Sequence, residues 1–370
     1  MTRLENRARE ILAIAGITVN GKAPYDIQIH DDAVYRRAFG HGSIGIGEAY
    51  MDGQWDVEDL SAFFARVSRA RLDKKLYNLS TLLHAIRARI TNLQNRSRAI
   101  EVAEQHYDLG NDLYEATLGR TLSYTCGYWK HAKNLDEAQD AKLDLICRKI
   151  GLKPGQTVLD IGCGWGGFLK FAAEKYGAKG VGITISKEQA VLARETCKGL
   201  PIEIRVEDYR DTQGQFDHIV TIGMFEHVGP HNYRAFMQKV SSLLKDDGLF
   251  LLHTIGAHYT VYAADRWITK YIFPNGTLPS VAQIGEAIDR VFILEDWHNF
   301  GPDYDKTLMA WFENFDRAWP QLEAKYGKRF YRMWKYYLLS CAGMFRSRYT
   351  QLWQIVLSKK GIEGGHASVR

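Results

Sequence analysis

The sequence predicts an α/β protein: an open, mainly parallel sheet with helices on both faces, joined to a smaller mixed N-terminal domain. Three observations carry this. From about residue 150 onward, short apolar runs alternate with amphipathic ones. A glycine cluster, "DIGCGWGG", separates the first of those apolar runs from the helix expected after it. At 370 residues the chain exceeds what one core usually organises, and 46% apolar with 25% charged residues is an ordinary globular composition.

Residues 1 to about 65 hold a short helix, "LENRAREILAIAG", a strand-like "YDIQI" and a Gly-rich passage, "FGHGSIGIGEAYMDGQW". A basic stretch follows. Between Arg66 and Arg98 nine Lys or Arg stand against one acid, Asp73, so that stretch carries +8 and the rest of this +5 chain carries −3. Within it Leu79, Leu83, Ile86, Ile90 and Leu93 recur at helical spacing, with arginines on the flanks. Such a helix either packs on its own domain with a solvated basic face or sits near anionic phospholipid, where each Lys or Arg contributes about 1 kcal/mol. Nucleic acid would suit the charge too, but no nucleic-acid-binding motif accompanies it. The boundary is placed here: residues 1–95 form the N-terminal domain and 96–370 the catalytic one.

In the second domain "QTVLDIG" reads as a strand and "GFLKFAAEKYG" as a helix. "KGVGITI" is a strand and "SKEQAVLARETCKG" a helix. "IEIRVED", "DHIVTIG" and "GLFLLHTIG" are further strands, with "RAFMQKVSSLLKDDG" as the helix before the last. "VFILEDWH" and "LWQIVLSKK" are expected to close the sheet, separated by the helical "TLMAWFENFDRAW".

Several classes of function fall away. No basic-then-apolar leader opens the chain and no apolar run is long enough for a bilayer, so a cytoplasmic location is expected. Five widely spaced cysteines without a Cys-x-x-Cys pair read as reduced thiols. His227 and His231 are separated by Gly229 and Pro230, which breaks the helical turn a zinc pair needs, and no metal is expected.

The run Gly162-x-Gly164-x-x-Gly167 lets the backbone turn tightly against a nucleotide, either a dinucleotide or S-adenosylmethionine. Two features favour the sulfonium compound. Asp160, just before the glycines, would repel a pyrophosphate but suits an ammonium and a sulfonium. The second strand ends in Thr184 and Ser186 instead of the acid that grips the ribose of NAD. The strand ends then look like those of a class I methyltransferase, a Rossmann-like fold. Beyond the fourth strand, "GMFEHVG" places Glu226 and His227 at a strand end, in aromatic company that includes Phe225, Trp267, Tyr271, Phe273, Trp297, Phe300 and Tyr304. Many of these are core. Together they suit a lipid pocket or a carbocation, since aromatic faces stabilise positive charge.

"YTCGYW", "VLDIGCGWGG", "GITIS", "GMFEHVG", "LLHTIG", "YIFPNG" and "EDWHNFGPDYDKTLMAW" resemble the cyclopropane-fatty-acyl-phospholipid synthase family over nearly the whole chain. Departures are mild: Thr125 stands where Ser is common, Gly127 where Ala is, and Glu207 where Gln is. The resemblance implies transfer of the methyl of S-adenosylmethionine to a cis double bond of a phospholipid acyl chain, then proton loss to bound bicarbonate and ring closure. It assigns the bicarbonate site to Cys126, Glu226, His253, Ile255 and Tyr304, with Cys341 as a further catalytic candidate. For the cofactor it implicates Tyr124, Thr125, Asp160, Gly162, Gly164, Trp165, Gly166, Gly167, Thr184, Ser186, Gln189, Asp208 and Tyr209. Asp208 would accept from the adenine amine, with Tyr209 or Trp165 stacked nearby. A homodimer in peripheral contact with the inner face of the membrane is implied as well. The rivals are a lipid methyltransferase that leaves a methyl branch, a small-molecule or tRNA methyltransferase, and a non-catalytic phospholipid-binding module.

Overall fold

The computed structural model describes residues 1–72, 110–262 and 264–370. The helical stripe expected at 79–93 lies outside the described residues. The chain gathers into two compact units: Met1–Thr91 with Tyr262–Pro274 and Tyr304–Thr350, and Asn92–Val261 with Asn275–Asp303 and Gln351–Arg370. Where sequence reasoning drew one boundary at residue 95, the N-terminal unit also takes in two segments from the second half of the chain.

Packing within that first unit explains the difference. Arg332 donates to Asp56 Oδ1 (2.8 Å), to the Trp55 carbonyl (3.0 Å) and to the Tyr50 carbonyl. The Gly-rich passage is a helix, Ser43–Met51, despite its poor helix propensity. Its glycines serve close approach: a Cβ at Gly45 would strike the Arg37 carbonyl, and one at Gly47 would strike the Trp267 indole. β1 (Gln28–Ile29) and β2 (Trp55–Asp56) form a two-residue antiparallel pair there. Pro302–Arg346 is helical, broken at Gly327 where φ is 76°.

The second unit is built on seven strands: β3 (Thr157–Ile161), β4 (Lys179–Thr184), β5 (Ile202–Val206), β6 (Phe216–Ile222), β7 (Leu244–Ala257), β8 (Ile293–Asn299) and β9 (Thr350–Ser358). Their order is β5-β4-β3-β6-β7-β9-β8. β3 pairs in parallel with β4 and β6, β4 with β5, and β6 with β7, while β8 and β9 are antiparallel. Apolar side chains alternate between two cores. Leu159, Ile161, Ile219, Phe250 and Leu252 enter one face with Phe225, Phe236 and Trp353. Val158, Val220, Leu249 and Leu251 enter the other with Ile146, Leu169 and Ala193. A sheet covered on both faces requires the near-continuous apolar runs seen in the sequence. The helix expected through Gly248 stops at Leu243, and β7 begins at Leu244. Leu244 is buried there and pairs with Phe216 of β6, while Lys245 meets Asp217 at 2.7 Å and Lys359 meets Asp246 at 3.0 Å.

Gly256 on β7 lies where a Cβ would overlap the ring of buried Trp353, whereas a Cβ at Gly285, within the helix Val281–Ile288, would meet nothing within 4 Å. Gly256→Ala is expected to cost about 1–3 kcal/mol by overpacking. Gly285→Ala is expected to stabilise by about 0.5–1 kcal/mol through helix propensity. Denaturant unfolding of the two variants checks both signs.

Candidate active site

The glycine loop leaves the end of β3 with three residues at positive φ, Gly162 (84°), Gly164 (54°) and Gly166 (82°), and Gly166 caps the helix Gly167–Tyr176. The Gly162 and Cys163 amides donate to the Ile183 carbonyl at 2.9 and 3.0 Å, which ties the loop to β4. A Cβ at Gly162 would meet the Met224 side chain at 2.8 Å, and one at Gly223 would meet Thr125 Cγ2 at 2.5 Å. Thus "DIGCGWGG", "GMFEHVG" and "YTCGYW" converge at the carboxyl ends of β3 and β6. Trp165 packs on Tyr114 (5.1 Å between centroids), which packs on Tyr124 (5.4 Å).

Asp160 is buried, and its Oδ1 has no partner. Burial pushes its carboxyl up, against the pull of the Lys142 ammonium. An orphaned acceptor beside a turned glycine loop fits a cationic nucleoside such as S-adenosylmethionine. Four other cofactor candidates, Thr184, Ser186, Gln189 and Asp208, already have partners. Thr184 Oγ1 donates to Gln189 Oε1 (3.0 Å) and accepts from the Ser186 amide (3.2 Å), while Ser186 Oγ caps the next helix at the Gln189 amide (3.2 Å). Both Asp208 oxygens accept from Arg210, at 2.9 and 2.7 Å, and the Arg210 guanidinium lies over the Tyr209 ring. An adenine amine would therefore share Asp208 with Arg210.

The carboxylate–imidazole constellation comes from β6 and β7. Their register sets Ile222 opposite His253, and the Gly223 amide donates to the His253 carbonyl at 2.9 Å. The turn Phe225–His227 then carries Glu226 inward, pinned by Phe225 stacked on Tyr233 at 4.3 Å and by the Thr277 amide on the Glu226 carbonyl. Glu226 Oε1 accepts from the Ile255 amide at 2.6 Å; Oε2 is buried without a partner. Burial raises the Glu226 carboxyl to about 7. His253 Nδ1 faces the Gln354 amide nitrogen at 3.3 Å, which leaves the proton on Nε2, also buried without a partner. Burial, helped by Lys142 and Lys149, keeps this imidazole neutral. His227 is likewise neutral, pushed by burial down to about 4.

Cys126 is buried in a segment held by the helix Leu135–Lys149. Gln139 Nε2 donates to the Thr125 carbonyl (2.8 Å), the Tyr128 amide to the Ala138 carbonyl (2.8 Å), and Lys142 Nζ to Thr125 Oγ1 (3.1 Å). Gly127, a departure from the family pattern, is required here because a Cβ would meet the Ala138 Cβ at 2.8 Å. Ile255 reaches the site through its amide, which is spent on Glu226. Tyr304 and Cys341 belong to the other unit. Tyr304 packs on Phe345 (4.5 Å between centroids), and burial pushes the Cys341 thiol up to about 12, far from a nucleophilic thiolate. Sequence reasoning missed Gln139, Lys142 and Gln354, whose only signal is a polar side chain within an otherwise apolar stripe or strand.

The Glu226 carboxyl rises from 4.5 to about 7, so the folded state holds its proton more tightly than the unfolded chain does. Its contribution to stability is fully present below pH 4.5 and is lost as pH rises through 7. Glu226→Gln keeps the shape without the charge. Its stability relative to the parent should climb by about 2–4 kcal/mol over that window and level off above it, as read by urea unfolding at a series of pH values.

Residues 94–355 match the family described as mycolic acid cyclopropane synthetase. The chain is 52% identical over 359 residues to the cyclopropane-fatty-acyl-phospholipid synthase of Escherichia coli (strain K12), covering 97% of this chain and 94% of that protein. Among solved structures it is similar to the cyclopropane synthase MmaA2 from Mycobacterium tuberculosis, with a TM-score of 0.67, 31% identity, and coverage of 73% of this chain and 100% of that one. It is also similar to the mycolic acid cyclopropane synthase CmaA1 complexed with SAH and CTAB, with a TM-score of 0.66, 33% identity, and coverage of 70% and 98%. The sheet is that of the class I methyltransferases, as the sequence predicts, and the chain belongs to the mycolic acid cyclopropane synthetase family.

Proposed function

We propose that the protein is a cyclopropane-fatty-acyl-phospholipid synthase. It adds one methylene carbon across the cis double bond of an unsaturated phospholipid acyl chain, giving a cyclopropane ring and S-adenosylhomocysteine. The observation that carries this reading is the pair of buried, unpartnered atoms Glu226 Oε2 and His253 Nε2, set by the β6–β7 register beside the glycine loop.

S-Adenosylmethionine, when bound, supplies an electrophilic methyl group. Asp160 would accept from its ammonium end, and the positive-φ glycines let the backbone come close to it. Bicarbonate, when bound, supplies a weak base, which suffices for a proton beside a carbocation. Glu226 Oε2 would accept from its hydroxyl and the His253 Nε2–H would donate to an oxygen, a polarity that fixes orientation. Because His253 is held neutral, its proton stays on the ring as a hydrogen-bond donor. The family resemblance adds Cys126, on the segment held by Gln139 and Lys142. The family resemblance assigns Tyr304 to the ion as well. Peripheral membrane contact and a homodimer belong to the proposal too. The first is supported by a lipid acceptor and by the basic stretch from Arg66 to Arg98, the second by resemblance. Among the described residues no helix is long and apolar enough to cross a membrane.

Incubation with trideuteromethyl S-adenosylmethionine and vesicles of cis-unsaturated anionic phospholipid tests the reaction. Acyl chains should gain a methylene carrying two deuterons and lose their double bond. Retention of all three deuterons would identify a methyl-branching enzyme instead, and label found only in soluble acceptors would remove the lipid assignment. Glu226→Gln should lower kcat by about a hundredfold or more. Its affinity for S-adenosylhomocysteine, measured by calorimetry, should remain within about threefold of the parent.

A further inference from the structure

Among the described residues two lysines are fully buried, Lys142 and Lys149. Burying an ammonium is costly unless a negative charge meets it. Lys149 has its partner, Asp296, at 3.3 Å. Lys142 makes no ion pair within 4 Å among the described residues; its ammonium donates to the Thr125 hydroxyl at 3.1 Å, and the carboxylate its charge reaches is Asp160. Gln139, three residues earlier on the same helix, holds the Thr125 carbonyl, so the ammonium is fixed against the Thr125–Cys126 segment. Its charge acts on Cys126, Asp160 and His253. These residues belong to the two sites described above; with Asp160 given to the ammonium of the cofactor, the proposed oxyanion is a further negative charge that the Lys142 ammonium can balance. An anion beside Glu226 would otherwise face a carboxylate with only a neutral imidazole to help, because His253 carries no charge.

We propose that Lys142 is a positioning residue whose buried ammonium supplies the counter-charge that lets the Glu226–His253 site hold bicarbonate. The inference rests on the bicarbonate reading given above. At an effective dielectric of about 20, a unit charge about 6–12 Å from another changes binding by about a hundred- to tenfold.

Lys142→Met keeps the length of the side chain and removes its charge. Titration of 13C-bicarbonate into protein loaded with S-adenosylhomocysteine, followed by 13C NMR, should show affinity weakened by at least about tenfold. Calorimetric binding of S-adenosylhomocysteine should stay within about threefold. The opposite pattern, with bicarbonate affinity unchanged and S-adenosylhomocysteine binding weakened, would make Lys142 a partner of Asp160 alone and overturn the inference. Absence of bicarbonate binding by the parent protein would overturn the bicarbonate reading itself, and the inference with it. A measurement on the parent needs no variant to fold. Below pH 7, where Glu226 holds its proton and donates in place of the hydroxyl that nitrate lacks, nitrate, a planar anion, should displace 13C-bicarbonate, while urea, neutral and of similar shape, should not. Displacement by urea as effective as by nitrate would contradict a buried counter-charge.

Discussion

The parallel pairing of β6 with β7 is the constraint on which the site depends. Ile222 opposite His253 brings the end of "DHIVTIG" level with "LLHTIG", and the bond from the Ile255 amide to Glu226 Oε1 closes the turn across the two strands. A slip of one residue would turn His253 to the opposite face of the sheet and leave Glu226 without its donor. The register is held by apolar burial on both faces. Val220 and Leu251 enter one core, while Ile219, Phe250 and Leu252 enter the other, and a one-residue slip would exchange the side chains packed in the two cores. Stability of the sheet and geometry of the chemistry are in this respect one property.

Burial then sets the electrostatics. Glu226, Asp160 and His253 are nearly inaccessible to water, and desolvation favours the neutral form of each. A neutral imidazole with its proton on Nε2 is a hydrogen-bond donor aimed into an apolar, aromatic surrounding that includes Phe300. Titratable groups left with unpaired atoms are expensive to bury, and such groups concentrate where ligands bind. The same logic separates Cys341 from the chemistry, since its thiol is pushed up by burial and gives no thiolate.

Much of this was legible in the sequence. The strands, the glycine loop and the position of Glu226 at a strand end follow from runs buried on both faces and from turns that only glycine adopts readily, as at Gly162 and Gly166. What escaped depends on contacts distant in sequence. "GSIGIGEAYM" has the composition of a loop, yet it is helical because Trp267 and the Arg37 backbone need the space a side chain would fill. "KDDG" opens a strand because Leu244, just before it, is buried and pairs with Phe216 of β6. The family resemblance assigns Ile255 to the anion, but that its amide is spent on Glu226 appears only in three dimensions. Lys142 looks like any helical lysine until its helix is seen to bury it.

If Glu226 and His253 hold a base that is not part of the polypeptide, turnover must depend on the supply of that base. The most direct test of that dependence is turnover in buffer freed of carbon dioxide, followed by stepwise return of bicarbonate. Ring formation should fall as bicarbonate is removed and recover on its addition for the parent protein, with no recovery in Glu226→Gln. Full ring formation in bicarbonate-free buffer would contradict it and leave Glu226 itself as the base.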